Sequence, residues 1–295
     1  MLDPSTFEYD QQAPLDVEIL SERVQDAALV RDITYASPRG GEVPAYLILP
    51  SPEPPRAGLI FGHWGEGNRT EFVDEAVVLT RLGFASLCLD APNRRPAWYE
   101  PQQTQPQAEF QWIVDVRRGV DVLQETCSLV PALVGYVGHS YGATFGGVIA
   151  GIEHRISAFV LMAGWYALSE LARTSTVPVL AEARSKIPPE VFAIYMDAMA
   201  PLDARHYIGH VAPSHLFFQF ASNDPGVTIE VGERYFELAS EPKQIAWYEN
   251  CGHALNAQAR IERVTWLCEQ FGLPEPSQEI LNLLEQVPSP VSLES

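Results

Sequence analysis

The stretch Ala132-Leu133-Val134-Gly135-Tyr136-Val137-Gly138-His139-Ser140-Tyr141-Gly142-Ala143-Thr144-Phe145-Gly146-Gly147-Val148-Ile149-Ala150-Gly151 decides how the rest of the chain is read. Its first six residues are an apolar run of strand type. Its last nine, rich in alanine and glycine, read as a helix packed closely on a sheet. Between them stands G-x-S-x-G, residues 138–142. Strand, G-x-S-x-G and helix in that order are the context of a nucleophile elbow. The turn is tight and its backbone strained, so only small residues fit on either side of the serine. Such a turn lifts the Ser140 hydroxyl above the sheet edge. It also aims the Tyr141 N–H at a place where an oxyanion can form.

On either side of this stretch the pattern alternates. Upstream, Val17-Glu18-Ile19, residues 29–35 and residues 43–49 read as three strands forming an antiparallel edge, the last two joined by the turn Ser37-Pro38-Arg39-Gly40-Gly41. A buried strand follows at Leu59-Ile60-Phe61, a helix over 72–81, a strand over 85–89 ending at Asp90, and a long helix over 108–127. Downstream come a strand over 158–162, a mixed helical insert over 165–212 and a strand over 215–220. A helix over 228–240, a strand over 244–248 and a helix over 254–271 complete the series. Strands alternating with helices predict an α/β fold with a mostly parallel sheet wrapped on both faces. The expected organisation is an N-terminal arm with an edge strand over 1–30, its first 15 residues loosely held. A catalytic domain over 31–272 carries the insert, and a tail that is docked or frayed spans 273–295.

A serine hydroxyl is a poor nucleophile and needs a base, itself oriented by an acid. Open α/β sheets place reactive groups in the loops beyond the carboxyl ends of their strands. That rule selects Asp224, after the strand ending at Phe220, and His253, after the strand ending at Tyr248. The order Ser140, Asp224, His253 matches hydrolases with this elbow. Among the seven histidines, His139 lies inside the elbow and is expected to pack beneath the turn, and His63 to brace the loop after its strand. His154, His206, His210 and His215 are assigned surface or core roles. Asp90 also ends a strand and is the alternative acid, although a carboxylate there more often braces loops; Asp203 and Glu249 are weaker candidates. The second oxyanion donor is expected in Gly62-His63-Trp64-Gly65-Glu66-Gly67, from the Trp64 N–H or else from Gly65. Phosphate binding, the competing use of a Gly-rich loop, ranks low because neither Gly-Lys-Ser/Thr nor G-x-G-x-x-G occurs.

These residues together resemble the α/β-hydrolase superfamily, and within it the dienelactone-hydrolase and prolyl-oligopeptidase-type serine esterases. The resemblance rests on residues 138–142, on His63-Trp64-Gly65, on residues 221–224 and on Gly252-His253, and spans roughly residues 30–272. It implies acyl transfer through Ser140, His253 and Asp224, without a cofactor or metal, on a small-molecule ester; amide or peptide cleavage, acyl transfer to another acceptor, and a non-catalytic ligand-binding role on the same fold are the alternatives. Three departures stand out. Trp64 occupies a place where a His-Gly start is commoner. Ser140 stands where dienelactone hydrolases proper carry cysteine. Only a short β arm precedes the domain, where the peptidases usually have a propeller. Haloalkane and epoxide chemistry is disfavoured, since those relatives use an aspartate in place of Ser140.

Composition narrows the partners. In 295 residues, 46% hydrophobic and 19% charged, the formal net charge is −19. That disfavours nucleic acid and anionic membranes, both of which need clustered cations. The four cysteines, Cys88, Cys127, Cys251 and Cys268, show no metal-binding spacing. Neither a leader pattern nor a membrane-length apolar run is visible, so the cytoplasm is expected. Trp64, Trp98 with Tyr99, and Trp165 with Tyr166 all follow strand ends. They are the expected walls of a substrate pocket beneath a cap formed by residues 165–212. Oligomeric state is not legible.

Overall fold

The structure is a computed structural model, and it describes residues 2–95, 106–129 and 131–289. Nine strands make one sheet, in chain order β1 (Glu18–Gln25), β2 (Ala28–Ala36), β3 (Glu42–Pro50), β4 (Ala57–Gly62), β5 (Phe84–Leu89), β6 (Val134–His139), β7 (Ala158–Met162), β8 (His215–Ala221) and β9 (Lys243–Tyr248). Their order across the sheet is β1-β2-β3-β5-β4-β6-β7-β8-β9. The first three strands pair antiparallel, as does β3 with β5, and every pair from β5 to β9 is parallel.

Nine α-helices accompany it: α1 (Val73–Leu79), α2 (Gln107–Cys127), α3 (Tyr141–Ala150), α4 (Leu168–Thr174), α5 (Pro178–Ser185), α6 (Pro189–Met199), α7 (Ile229–Leu238), α8 (Ala257–Gln270) and α9 (Gln278–Gln286), counted among the described residues. Strand alternation assigns their faces. In β4, Ile60 joins Trp112 and Val116 of α2 and Phe145 of α3 in one core, while Leu59 and Phe61 join Val77 of α1 and Leu267 of α8 in the other. Successive side chains on a strand point to opposite faces, so a run buried at every position must be covered on both. β4 and β6 are buried throughout.

The chain leaves β4 towards β5 on one side and returns to β6 on the other. The carboxyl ends of β4 and β6 therefore flank a topological switch point, where the two outgoing loops diverge and leave a crevice. Those loops begin at His63 and Ser140.

Two parts of the chain differ from expectation. The first strand is longer than Val17-Glu18-Ile19, because Asp26 and Ala27, with φ of 49° and 68°, form a two-residue hairpin turn that extends it. Residues 2–15 are docked rather than loose. Arg117 and Arg118 of α2 donate to the carbonyls of Phe7, Gln11, Ala13 and Pro14, and Phe7 is fully buried. Within the tail, α9 is a formed helix with Ser277 as its N-cap.

Candidate active site

Ser140 occupies the junction of β6 and α3 with φ 52° and ψ −103°. A non-glycine residue there is strained by roughly 1–3 kcal/mol and persists only when its surroundings hold it. They do so: the Ser140 N–H donates to the Met162 carbonyl at 2.8 Å, and its own carbonyl accepts from Thr144 N and Oγ1, both at 2.8 Å. The flanking glycines are sterically required. A Cβ at Gly138 would lie 2.6 Å from the Gly142 carbonyl, and one at Gly142 would collide with the Gly62 oxygen. Ser140 is 5% exposed.

His253 and Asp224 meet from different loops. His253 Nδ1 lies 2.9 Å from Asp224 Oδ2 and 3.0 Å from Oδ1. The Gly226 and Val227 N–H groups donate to Oδ1 at 2.7 and 3.1 Å, which fixes the carboxylate. A carboxylate can only accept, so Nδ1 carries a proton, and in the neutral ring Nε2 presents a lone pair. That Nε2 is buried and has no hydrogen-bond partner. The imidazole packs 5.1 Å from the ring of His139, the residue before Ser140, and 6.4 Å from Trp165.

The other acidic candidates are engaged elsewhere. Asp90 accepts from the Arg69 N–H at 2.6 Å, and burial raises its pKa despite that bond. Asp203 accepts from the Ser169 N–H and hydroxyl at 2.9 and 2.6 Å, bracing the start of α4 against the end of the insert. Glu249 is exposed.

His63 is a brace, as its position suggested. Its Nδ1 donates to the Trp64 carbonyl at 2.6 Å and its Nε2 accepts from the Ala91 N–H at 2.9 Å. Only the neutral imidazole makes both bonds, in keeping with burial that lowers its pKa. The Trp64 N–H is not available to an oxyanion, contrary to expectation, because it donates to Glu71 Oε2 at 2.8 Å. Neither the Tyr141 nor the Gly65 N–H has an acceptor among the described residues. The two loops are adjacent, for a Cβ at Gly65 would lie 4.0 Å from that of Tyr141.

The sequence matches no family model and none of the curated proteins. Among solved structures, an acetyl xylan esterase from Paenibacillus sp. R4 superposes with a TM-score of 0.73 at 16% identity, covering 87% of this chain and 89% of its own. Acetyl xylan esterase 1 from Thermoanaerobacterium sp. JW/SL YS485 gives 0.72 at 14% identity, over 90% and 91% of the two chains. Est1E from Butyrivibrio proteoclasticus gives 0.62 at 16% identity, over 78% and 95%. The chain has the α/β-hydrolase fold.

The excursion between β7 and β8 comprises α4, α5 and α6. A cavity of about 370 Å³ lies between the loop after β4 at Glu66, Pro178, Val179 and Lys186 of the insert, and Pro225 beside Asp224. Neither it nor a larger cavity of about 720 Å³, lined by Leu2, Arg39, Phe110 and Leu202, includes a candidate site residue. Of the expected pocket aromatics, Trp165 is half-buried and its Nε1 donates to the Gly226 carbonyl at 3.0 Å, so it braces the acid loop. The Tyr166 carbonyl accepts from the Arg205 N–H at 2.8 Å. Trp64 lays its indole over Gly67. Trp98 and Tyr99 lie outside the described residues.

Sequence reading missed Glu71 and Thr144. Thr144 Oγ1 accepts from the Trp165 N–H at 3.0 Å and donates to Ser140, tying elbow to insert. Glu71 lies two residues before α1 and just outside the helix expected over 72–81, in a stretch to which the sequence assigns no role. The one signal available was His139, a buried histidine in need of a partner.

Proposed function

We propose that this chain is a serine hydrolase that cleaves carboxylic esters of small to medium size. The observation that carries the reading is the Asp224–His253 pair, with Nδ1 committed to the carboxylate and a buried, unpartnered Nε2 beside the elbow. In this reading Nε2 takes the proton from Ser140 Oγ as the oxygen attacks the ester carbonyl. The Tyr141 and Gly65 N–H groups stabilise the oxyanion, Gly65 replacing Trp64 because its N–H is uncommitted. The imidazolium, held by Asp224, then protonates the leaving alcohol. Water, deprotonated by the same Nε2, attacks the acyl-enzyme and releases the acid with Ser140 restored.

The α4–α6 insert acts as a cap. A cap over the elbow restricts access, which favours a small or medium substrate over a polymer. Several structures that superpose on this chain are named as esterases, which supports an ester over an amide. No described helix is long and apolar enough to cross a membrane. The charge of −19 favours neither nucleic acid nor anionic lipid as a partner.

Intact mass after incubation with a fluorophosphonate tests the reading. A single adduct on the wild type that is absent from Ser140→Ala is expected. Turnover of p-nitrophenyl acetate should fall by at least 10³-fold in the same variant, as an order-of-magnitude estimate. A folded wild type that is neither labelled nor active would point instead to a ligand-binding protein on the same fold.

A further inference from the structure

Glu71 is a carboxylate buried between two loops that lie far apart in sequence. Its side chain is 3% exposed and that of His139 is 2% exposed. Oε2 accepts from the Trp64 N–H at 2.8 Å, and Oε1 lies 2.6 Å from His139 Nδ1. His139 Nε2 lies 2.9 Å from the backbone carbonyl of His253. One side chain thus reaches the oxyanion loop directly and the base-bearing loop through a single imidazole. His139 adds the covalent link to Ser140.

We infer that Glu71 is a positioning residue that sets the oxyanion loop and the His253 loop relative to each other. The inference rests on the hydrolase reading above. A rate that depends on proton transfer and on two N–H donors falls steeply when either group moves by about an ångström. Each loop closes a turn of its own, the Gly67 N–H donating to the Trp64 carbonyl and the Leu255 N–H to the Gly252 carbonyl, both at 3.0 Å, but neither turn fixes one loop against the other. Glu71 supplies a shared anchor from the start of α1. The His253 carbonyl only accepts, so His139 Nε2 bears a hydrogen, and Nδ1 and Glu71 Oε1 share one proton between them. Glutamine at position 71 can reproduce both bonds, accepting from Trp64 through its oxygen and donating its amide N–H to Nδ1 of a neutral His139. Alanine can reproduce neither.

The test measures kcat and KM for p-nitrophenyl acetate in the wild type, Ser140→Ala, Glu71→Ala, Glu71→Gln and His139→Ala, with circular dichroism and Tm for each. For Glu71→Ala, kcat is expected to fall about 30- to 100-fold with KM within about twofold, and Glu71→Gln to recover kcat to within about fivefold of the wild type. His139→Ala cuts the branch to His253 together with the ring contact at 5.1 Å and is expected to lower kcat about tenfold at unchanged KM; if Glu71→Ala does not fold, it carries the test together with Glu71→Gln. Wild-type kcat in a folded Glu71→Ala or His139→Ala would overturn the positioning role. So would a loss confined to KM, or one that glutamine does not recover. If turnover is absent, or is the same in Ser140→Ala, the hydrolase reading falls and this inference with it. Ser140-dependent turnover indifferent to Glu71 overturns the inference alone.

Discussion

At the scale of single residues the site is an exercise in directing protons. Asp224 Oδ1 accepts from the Gly226 and Val227 N–H groups, and both carboxylate oxygens face His253 Nδ1, at 3.0 and 2.9 Å. Asparagine at position 224 would keep its carbonyl on those two N–H groups and turn its amide N–H towards Nδ1. The imidazole would then have to carry its proton on Nε2, where it cannot act as a base. Asp224→Asn is therefore expected to lose kcat on the order of 10⁴-fold with little change in Tm, measured by ester turnover and thermal unfolding. Ser140, His253 and Asp224 were legible from the chain because each follows a strand end beside small residues. Glu71 was not. Its role depends on which backbone N–H and which imidazole come within 3 Å of it, and neither partner stands at a recognisable spacing.

At the scale of elements, what the chain states most clearly is periodicity, and what it states least clearly is how far each element extends. α9 illustrates this. Its sequence has prolines and acidic residues on either side, yet Ser277 accepts from the Ile280 N–H, and Leu284 is fully buried against α8. Arg260 of α8 donates to the Leu284 carbonyl at 2.7 Å, which satisfies an acceptor at the helix end. The helix is thus stabilised by contacts made after the domain has formed, since nine residues alone are too few to hold a helix in water. Leu284→Ala is expected to cost about 3 kcal/mol of unfolding free energy while leaving kcat unchanged. Urea denaturation alongside ester turnover checks both halves of that expectation.

Across the whole molecule, buried titratable groups tie stability to pH. Burial lowers the pKa of His63 from its ordinary 6.5, so the unfolded chain takes up the proton first. The stability His63 contributes is fully present above about pH 6.5 and is lost as pH falls through the folded-state value. Asp90 and Asp115, raised by burial, act with the opposite sign: their contribution is present below the unfolded value and lost as pH rises. A comparison with His63→Asn isolates the histidine, because asparagine retains a donor and an acceptor but does not titrate. Between about pH 7 and about pH 5 the wild type is expected to lose more Tm than His63→Asn, and parallel curves in differential scanning calorimetry would contradict this. The same brace sits in the crevice where β4 and β6 diverge, so fold stability and loop geometry share one residue.

The sequence by itself determined the α/β architecture, the elbow at Ser140 and the loops that carry Asp224 and His253. These follow from local rules: strand and helix periods, the small residues a strained turn requires, and the direction in which parallel strands deliver their loops. Tertiary structure alone decided that Trp64 spends its N–H on Glu71, leaving Gly65 beside Tyr141, and that His139 reaches the His253 carbonyl. It also decided that the N-terminal arm docks on arginines of α2 and that α9 forms against α8. The physical reason is common to all of these. A hydrogen bond is satisfied by whichever partner folding brings within reach: residues 64 and 71 meet across one loop at no recognisable spacing, 260 and 284 across the turn between α8 and α9, and 139 and 253 only once the sheet has closed its crossovers.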